Sequence, residues 1–186
     1  QQKLLATSFS FLRVSQKRAS SVQWFSEWPQ VTSHRKENKV EDIWLERYAF
    51  KNKPFDHQRK YLERFWKKPV AALFADMGTG KSFMVINNIA MLYDIGKVNS
   101  ALIIAPKGVY RNWVDQELPK HLPDHVIHRT ALWTPNPRKA EKAELEKLWE
   151  VSDDLKILVM NVEALSTKKG VEYAKRFTMF TKCFMA

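Results

Sequence analysis

A chain of 186 residues has room for one well-filled core and an appended arm, and no more. Hydrophobic residues make up 45% and charged residues 27%, a globular composition in which no apolar run approaches the ~18 residues of a membrane span. The net charge of +11 favours polyanionic partners, nucleic acid first, and a single cysteine, Cys183, excludes an internal disulfide and suits a reducing compartment.

Residues 1–40 hold seven Lys/Arg against two Glu and read as a basic, loosely ordered extension. The first 26 residues lack acids and are rich in Ser, with Lys3, Arg13, Lys17 and Arg18 among Leu and Phe. That pattern suits an organelle transit peptide, a basic arm, or sequence outside the true reading start. The chain opens on Gln1 without Met, which fits a fragment, a processed product or an expressed piece. Ser33 to Glu41 is polar and reads as a linker, so a second unit is expected over residues 41–186.

In that unit Trp44, Leu45, Tyr48 and Phe50 suggest a short folded segment. Pro54 and Asp56 supply a helix start, and Tyr61, Leu62, Phe65 and Trp66 follow at helical spacing until Lys67-Lys68-Pro69. Val70-Ala71-Ala72-Leu73-Phe74 reads as a buried strand.

The next residues, Ala75-Asp76-Met77-Gly78-Thr79-Gly80-Lys81-Ser82, have the form of a phosphate-binding loop opening into a helix. Gly78 and Gly80 allow the backbone to curl around an anion, with N–H groups turned inward as a nest. The positive end of the following helix adds to the attraction. Lys81 is placed for the β- and γ-phosphates and the Ser82 hydroxyl for Mg²⁺. Ala75 stands where the strict pattern asks for Gly; the plainer alternative is a glycine turn that happens to precede Lys-Ser.

Beyond it, a helix from Lys81 to about Ile95 should stop at Gly96. Ala101 to Ala105 is an apolar strand broken by Pro106. Val109 to Leu118 reads as a helix closed by Pro119, and His125-Val126-Ile127 as a short strand. Arg138 to Glu150 is a charged helix with Ala140, Ala143, Leu145, Leu148 and Trp149 facing inward. Leu155 to Met160 is a strand, Glu172 to Arg176 a helical turn, and Lys182 to Ala186 one more strand. The alternation predicts an α/β fold with a mostly parallel sheet covered on both faces. His121, His125 and His128 carry no metal reading, since Pro123 interrupts the segment.

The ordered set of motifs resembles superfamily 2 helicases and translocases, in their Swi/Snf-like branch, and is most similar to members carried by bacteriophages. Ala75 to Ser82 resembles motif I, and Phe55-x-x-Gln58 the glutamine motif. Leu102 to Lys107 with Arg111-Asn112-Trp113 resembles motif Ia and its helix, and Leu158 to Leu165 the next strand and turn.

The resemblance implies a RecA-like three-layer lobe that takes ATP and Mg²⁺ at Asp76, Met77, Gly78, Thr79, Gly80, Lys81 and Ser82. It implies Gln58 on the adenine edge, Phe55 packing near the base, and Lys107, Arg111 and Asn112 against a nucleic-acid backbone, double-stranded DNA first. It further implies a second RecA-like lobe in the full-length chain, no membrane, and a setting such as the cytoplasm of a phage-infected bacterium. Trp113 reads as a packing residue. Hydrolysis in such enzymes needs an acidic pair at a strand end. Asp153-Asp154 precedes a strand, and the run Cys183 to Ala186 is where the pair would follow, so a truncated amino-terminal lobe is expected. Two alternatives stand beside this: another phosphate-loop enzyme such as a nucleotide kinase, and a non-catalytic nucleic-acid-binding module with a relic loop.

Overall fold

Among the described residues four parallel strands form the sheet: β1 (Ser100–Ala105), β2 (His128–Leu132), β3 (Leu155–Asn161) and β4 (Cys183–Met185), in the order β2-β3-β1-β4. The computed structural model describes Leu45 and residues 47–186. The basic extension, the linker and Trp44 lie outside the described residues. Ser100 stands opposite Lys156 and Ala105 opposite Asn161, so the carboxyl ends of β1 and β3 come level.

Parallel neighbours require crossovers, and helices supply them. They are α1 (Asp56–Phe65), α2 (Lys81–Asp94), α3 (Tyr110–Asn112), a π-helical turn (Trp113–Glu117), α4 (Leu118–His121), α5 (Lys139–Lys147), a 3₁₀ turn (Val162–Ser166) and α6 (Lys168–Phe180).

Period-two alternation sorts the strand residues between two cores. Ala101, Ile103, Leu155, Ile157 and Val159 pack with Ile86, Ile89 and Ala90 of α2 and Leu118 of α4. Leu102, Leu158 and Met160 pack on the opposite face with Leu145, Leu148 and Phe177. A third cluster, Leu45, Leu62, Trp66, Phe83, Met84 and Met91, seats α1 on α2. The expected α/β class with a parallel sheet covered on both faces is what forms.

Several expectations are corrected. Val70–Phe74 is not a strand: it pairs with no neighbour among the described residues, and Val70 and Phe74 are 87% and 95% exposed. An apolar run becomes a buried strand only when a neighbour takes its backbone groups, and the sheet is built from the other four. The helix over Val109–Leu118 does not stop at Pro119 but continues to His121. The π-helical turn makes this possible: Leu118 N–H donates to the Trp113 carbonyl, so the chain is already wide where Pro119 lacks a donor.

The strand expected at His125–Ile127 lies one step later, at His128–Leu132. It is an edge strand, and its half-exposed pattern hides it from an apolar-run criterion. Ala140 and Ala143 are exposed, while Leu145 and Leu148 carry the buried face of that helix. The turn foreseen at Glu172–Arg176 is the middle of a longer helix, α6, capped by Thr167, whose hydroxyl accepts from Gly170 N–H at 3.1 Å.

The tail of α2 is fastened beneath the sheet. Tyr48 donates to Asp94 at 2.7 Å, His125 Nε2 lies 3.0 Å from the same carboxylate oxygen, and Tyr93 donates to the Asp153 carbonyl at 2.6 Å. Burial, then the Asp94 contact, pushes the Tyr48 hydroxyl pKa far up, so it remains a donor. His125 and Asp153 precede β2 and β3, so α2 ends at the amino edge of the sheet and begins at the carboxyl edge. The loop before it therefore sits where open α/β sheets take their ligands.

Candidate functional site

The loop Ala75–Ser82 is shaped by its two glycines. Gly78 and Gly80 have φ of 80° and 77°, the left-handed region. Around Gly78 a Cβ would meet nothing within 4 Å, so the turn is open there; at Gly80 it would lie 2.3 Å from Gln58 Nε2. The main-chain N–H groups of Gly78, Gly80, Lys81 and Ser82 find no hydrogen-bond acceptor among the described residues. Unspent amides at the head of a fourteen-residue helix make an anion nest.

Lys81 opens α2, and its ammonium folds back to donate to the Ala75 and Asp76 carbonyls at 2.9 and 2.8 Å. The lysine is thus held over its own loop, and swinging off those carbonyls would free it for a phosphate. Thr79 Oγ1 donates to the Asp76 carbonyl at 2.8 Å and stiffens the turn. Asp76 and Met77 are exposed, and Ser82 follows Lys81 on the first turn of the helix, half-buried. The residues present suit a polyphosphate with its divalent cation: free donors, one ammonium, one hydroxyl.

Gln58 is buried, and its amide is used on both sides. Its Oε1 accepts from Phe55 N–H at 3.0 Å, and its Nε2 donates to the Thr79 carbonyl at 3.1 Å. The glutamine expected on an adenine edge also braces α1 against the phosphate loop, with a second N–H and a second oxygen lone pair left over. His57, which the motif reading did not single out, joins it: Nε2 lies 2.9 Å from the same Thr79 oxygen. Phe55 is 69% exposed and stacks on His57 with centroids 5.9 Å apart and planes 10° from parallel. An open aromatic face thus stands beside the loop. The adjacency of His57 to Gln58 was the sequence signal available for it.

Lys107 is exposed in the turn after β1, and Arg111 and Asn112 are exposed on α3, all at the carboxyl edge that the loop shares. The Arg111 guanidinium lies 5.6 Å from the Tyr110 ring centroid and 3.9 Å from Glu141. Trp113 packs against the first core. Asn161 caps the 3₁₀ turn by accepting from Ala164 N–H at 2.8 Å, and Glu163 is exposed. Asp154 lies at the opposite edge, paired with Arg129 at 2.6 Å. His121 meets Phe83 edge-on at 5.4 Å, and burial lowers its pKa. His128 Nδ1 faces the Val126 carbonyl, so the three histidines serve separate places. Burial pushes the Cys183 thiol up, away from thiolate chemistry.

A family model described as SNF2-related domain matches residues 18–179. No curated protein matches the chain.

Proposed function

Because this chain belongs to the SNF2-related domain family, a class of helicase-like ATPases, we propose that residues 41–186 are its RecA-like ATP-binding lobe and that the loop Ala75–Ser82 grips the triphosphate of ATP. The observation that carries this reading is the open, left-handed turn at Gly78 and Gly80, with unspent N–H groups and Lys81 at the helix head. The main-chain amides hold phosphate oxygens, and Lys81 leaves the Ala75 and Asp76 carbonyls to neutralise them. Ser82 offers its hydroxyl to Mg²⁺, which when bound would offset the charge on the phosphates. Phe55 presents its free face to the base, while Gln58 and His57 hold the loop to α1 so that base and phosphate contacts reinforce each other.

Lys107, Arg111 and Asn112 face a nucleic-acid backbone at the same edge, with duplex DNA as the partner. Stepping along it would use a second RecA-like lobe closing over the nucleotide. Hydrolysis calls for a carboxylate beside the metal at the carboxyl edge, and Asp153 and Asp154, at the amino edge, do not provide it.

Titration calorimetry of Mg·ATP into the whole chain tests the reading. Heat of binding is expected for the parent protein and is abolished in Lys81→Ala, with the circular dichroism spectrum unchanged. Equal heats for the two proteins would remove Lys81 from the site.

A further inference from the structure

Between α3 and the loop that leaves β2 lies an open cleft of about 420 Å³, lined by Arg111, Thr134, Asn136, Arg138 and Glu141. We propose that this cleft seats a backbone phosphate of a bound nucleic-acid strand, with Arg138 and Arg111 as its cationic jaws and Glu141 as the counter-charge that the phosphate displaces. The inference rests on the nucleic-acid half of the function proposed above and extends it to a loop that no motif marked.

The charges in the cleft are poorly matched among themselves. The Arg138 guanidinium has no hydrogen bond or ion pair among the described residues, although Arg138 N–H donates to Glu141 Oε2 at 2.9 Å. Arg111 reaches Glu141 Oε1 only at 3.9 Å, with its side chain 56% exposed against 25% for Glu141. Such a loose, solvated pair is worth little. Thr134 Oγ1 contacts Glu141 Oε2 at a long 3.4 Å, and Asn136 is exposed with no hydrogen-bond partner for its amide among the described residues. The cleft therefore offers two guanidinium forks, a hydroxyl and an amide to one carboxylate that satisfies none of the forks well. Guanidinium forks suit phosphoryl oxygens better than they suit one distant carboxylate.

Position supports a strand over a solitary anion. Arg111 and Asn112 stand directly before the π-helical turn Trp113–Glu117, and widened turns of this kind gather at functional sites. The loop after β2 and the Lys107 turn after β1 leave the same edge of a parallel sheet, separated by β3, so one strand lying along that edge could meet both.

The test uses the whole chain and a fluorescein-labelled DNA duplex, followed by anisotropy as NaCl is raised. Arg138→Ala is expected to weaken binding several-fold and to reduce the slope of log affinity against log salt by about one. Arg138→Lys should restore much of the loss. Glu141→Gln is expected to tighten binding several-fold, because Gln still accepts from the Arg138 N–H at the helix start while the competing charge is gone. A purely structural Glu141 would leave affinity unchanged.

Inorganic phosphate or polyglutamate added at constant ionic strength should leave the duplex bound. Release by phosphate would reassign the cleft to a free anion, and release by polyglutamate to an acidic peptide; either overturns the proposal. A parent chain that binds no duplex sinks the nucleic-acid reading as a whole. A parent that binds, with either Arg138→Ala or Glu141→Gln unchanged, sinks this inference alone.

Discussion

Gln58 uses both ends of its amide to hold two segments together, which makes the phosphate loop sensitive to atoms outside it. The two glycines of the loop should therefore respond differently to the same change. Gly78→Ala meets open space and incurs only the left-handed strain, about 1–2 kcal/mol. Gly80→Ala bears the same strain and also drives a methyl to 2.3 Å from Gln58 Nε2, prising it off the Thr79 carbonyl. Nucleotide affinity and thermal midpoint should both fall further in Gly80→Ala; equal losses in the two variants would show that the Gln58 brace is unimportant. At this scale the sequence was informative wherever chemistry is local. Gly78, Gly80, Lys81 and Ser82 are legible because a turn, a charge and a helix start leave their mark in adjacent residues. The bracing contacts of Gln58 and His57 were not, because their partner, the Thr79 carbonyl, is a main-chain atom brought near only by folding.

Among the elements, the junction between the 3₁₀ turn and α6 leaves no room for a side chain at Gly170. Asn161 caps the turn, Thr167 donates to the Ala164 carbonyl at 2.7 Å, and Gly170 sits against that same carbonyl. A Cβ on Gly170 would fall 2.1 Å from Ala164 O, a main-chain atom with nowhere to go. Gly170→Ala is expected to cost about 1–3 kcal/mol, read as a lower urea midpoint with unchanged slope. An unaltered midpoint would mean the junction yields more easily than its contacts suggest. Elements that are mostly buried, β1 and β3, were plain from their apolar runs. The edge strand β2 was misplaced, because Arg129 and Thr130 give it a polar surface that only its pairing with β3 explains. Pro119 misled for a related reason: a proline ends an ordinary helix, and the widened turn before it could not be read from residue types.

The whole molecule differs most from expectation at Val70–Phe74, where an apolar run expected as a buried strand keeps only Leu73 half-buried and leaves Val70 and Phe74 in solvent. Phe74 at 95% exposure should behave as a surface residue. Phe74→Ser is expected to change unfolding free energy by less than about 0.5 kcal/mol in a denaturant titration. A loss of about 3 kcal/mol, the scale for emptying a core of an aromatic ring, would show the run to be buried in solution. The class of fold was legible because alternating strands and helices admit few arrangements. The fate of this one run was not, because hydrophobicity names a preference for burial but not a partner to provide it. The helix behind the loop is pinned at its far end by Tyr48, Asp94 and His125, whereas the chain entering the loop joins no strand among the described residues and is held by Leu73 on the third cluster and by Lys81 on the Ala75 and Asp76 carbonyls. Such a grip resembles a clamp hinged on one jaw. Whatever it closes upon must surrender some of its attraction to still the loose jaw, so holding strength here is governed by restraint of the incoming chain as well as by the donors it presents.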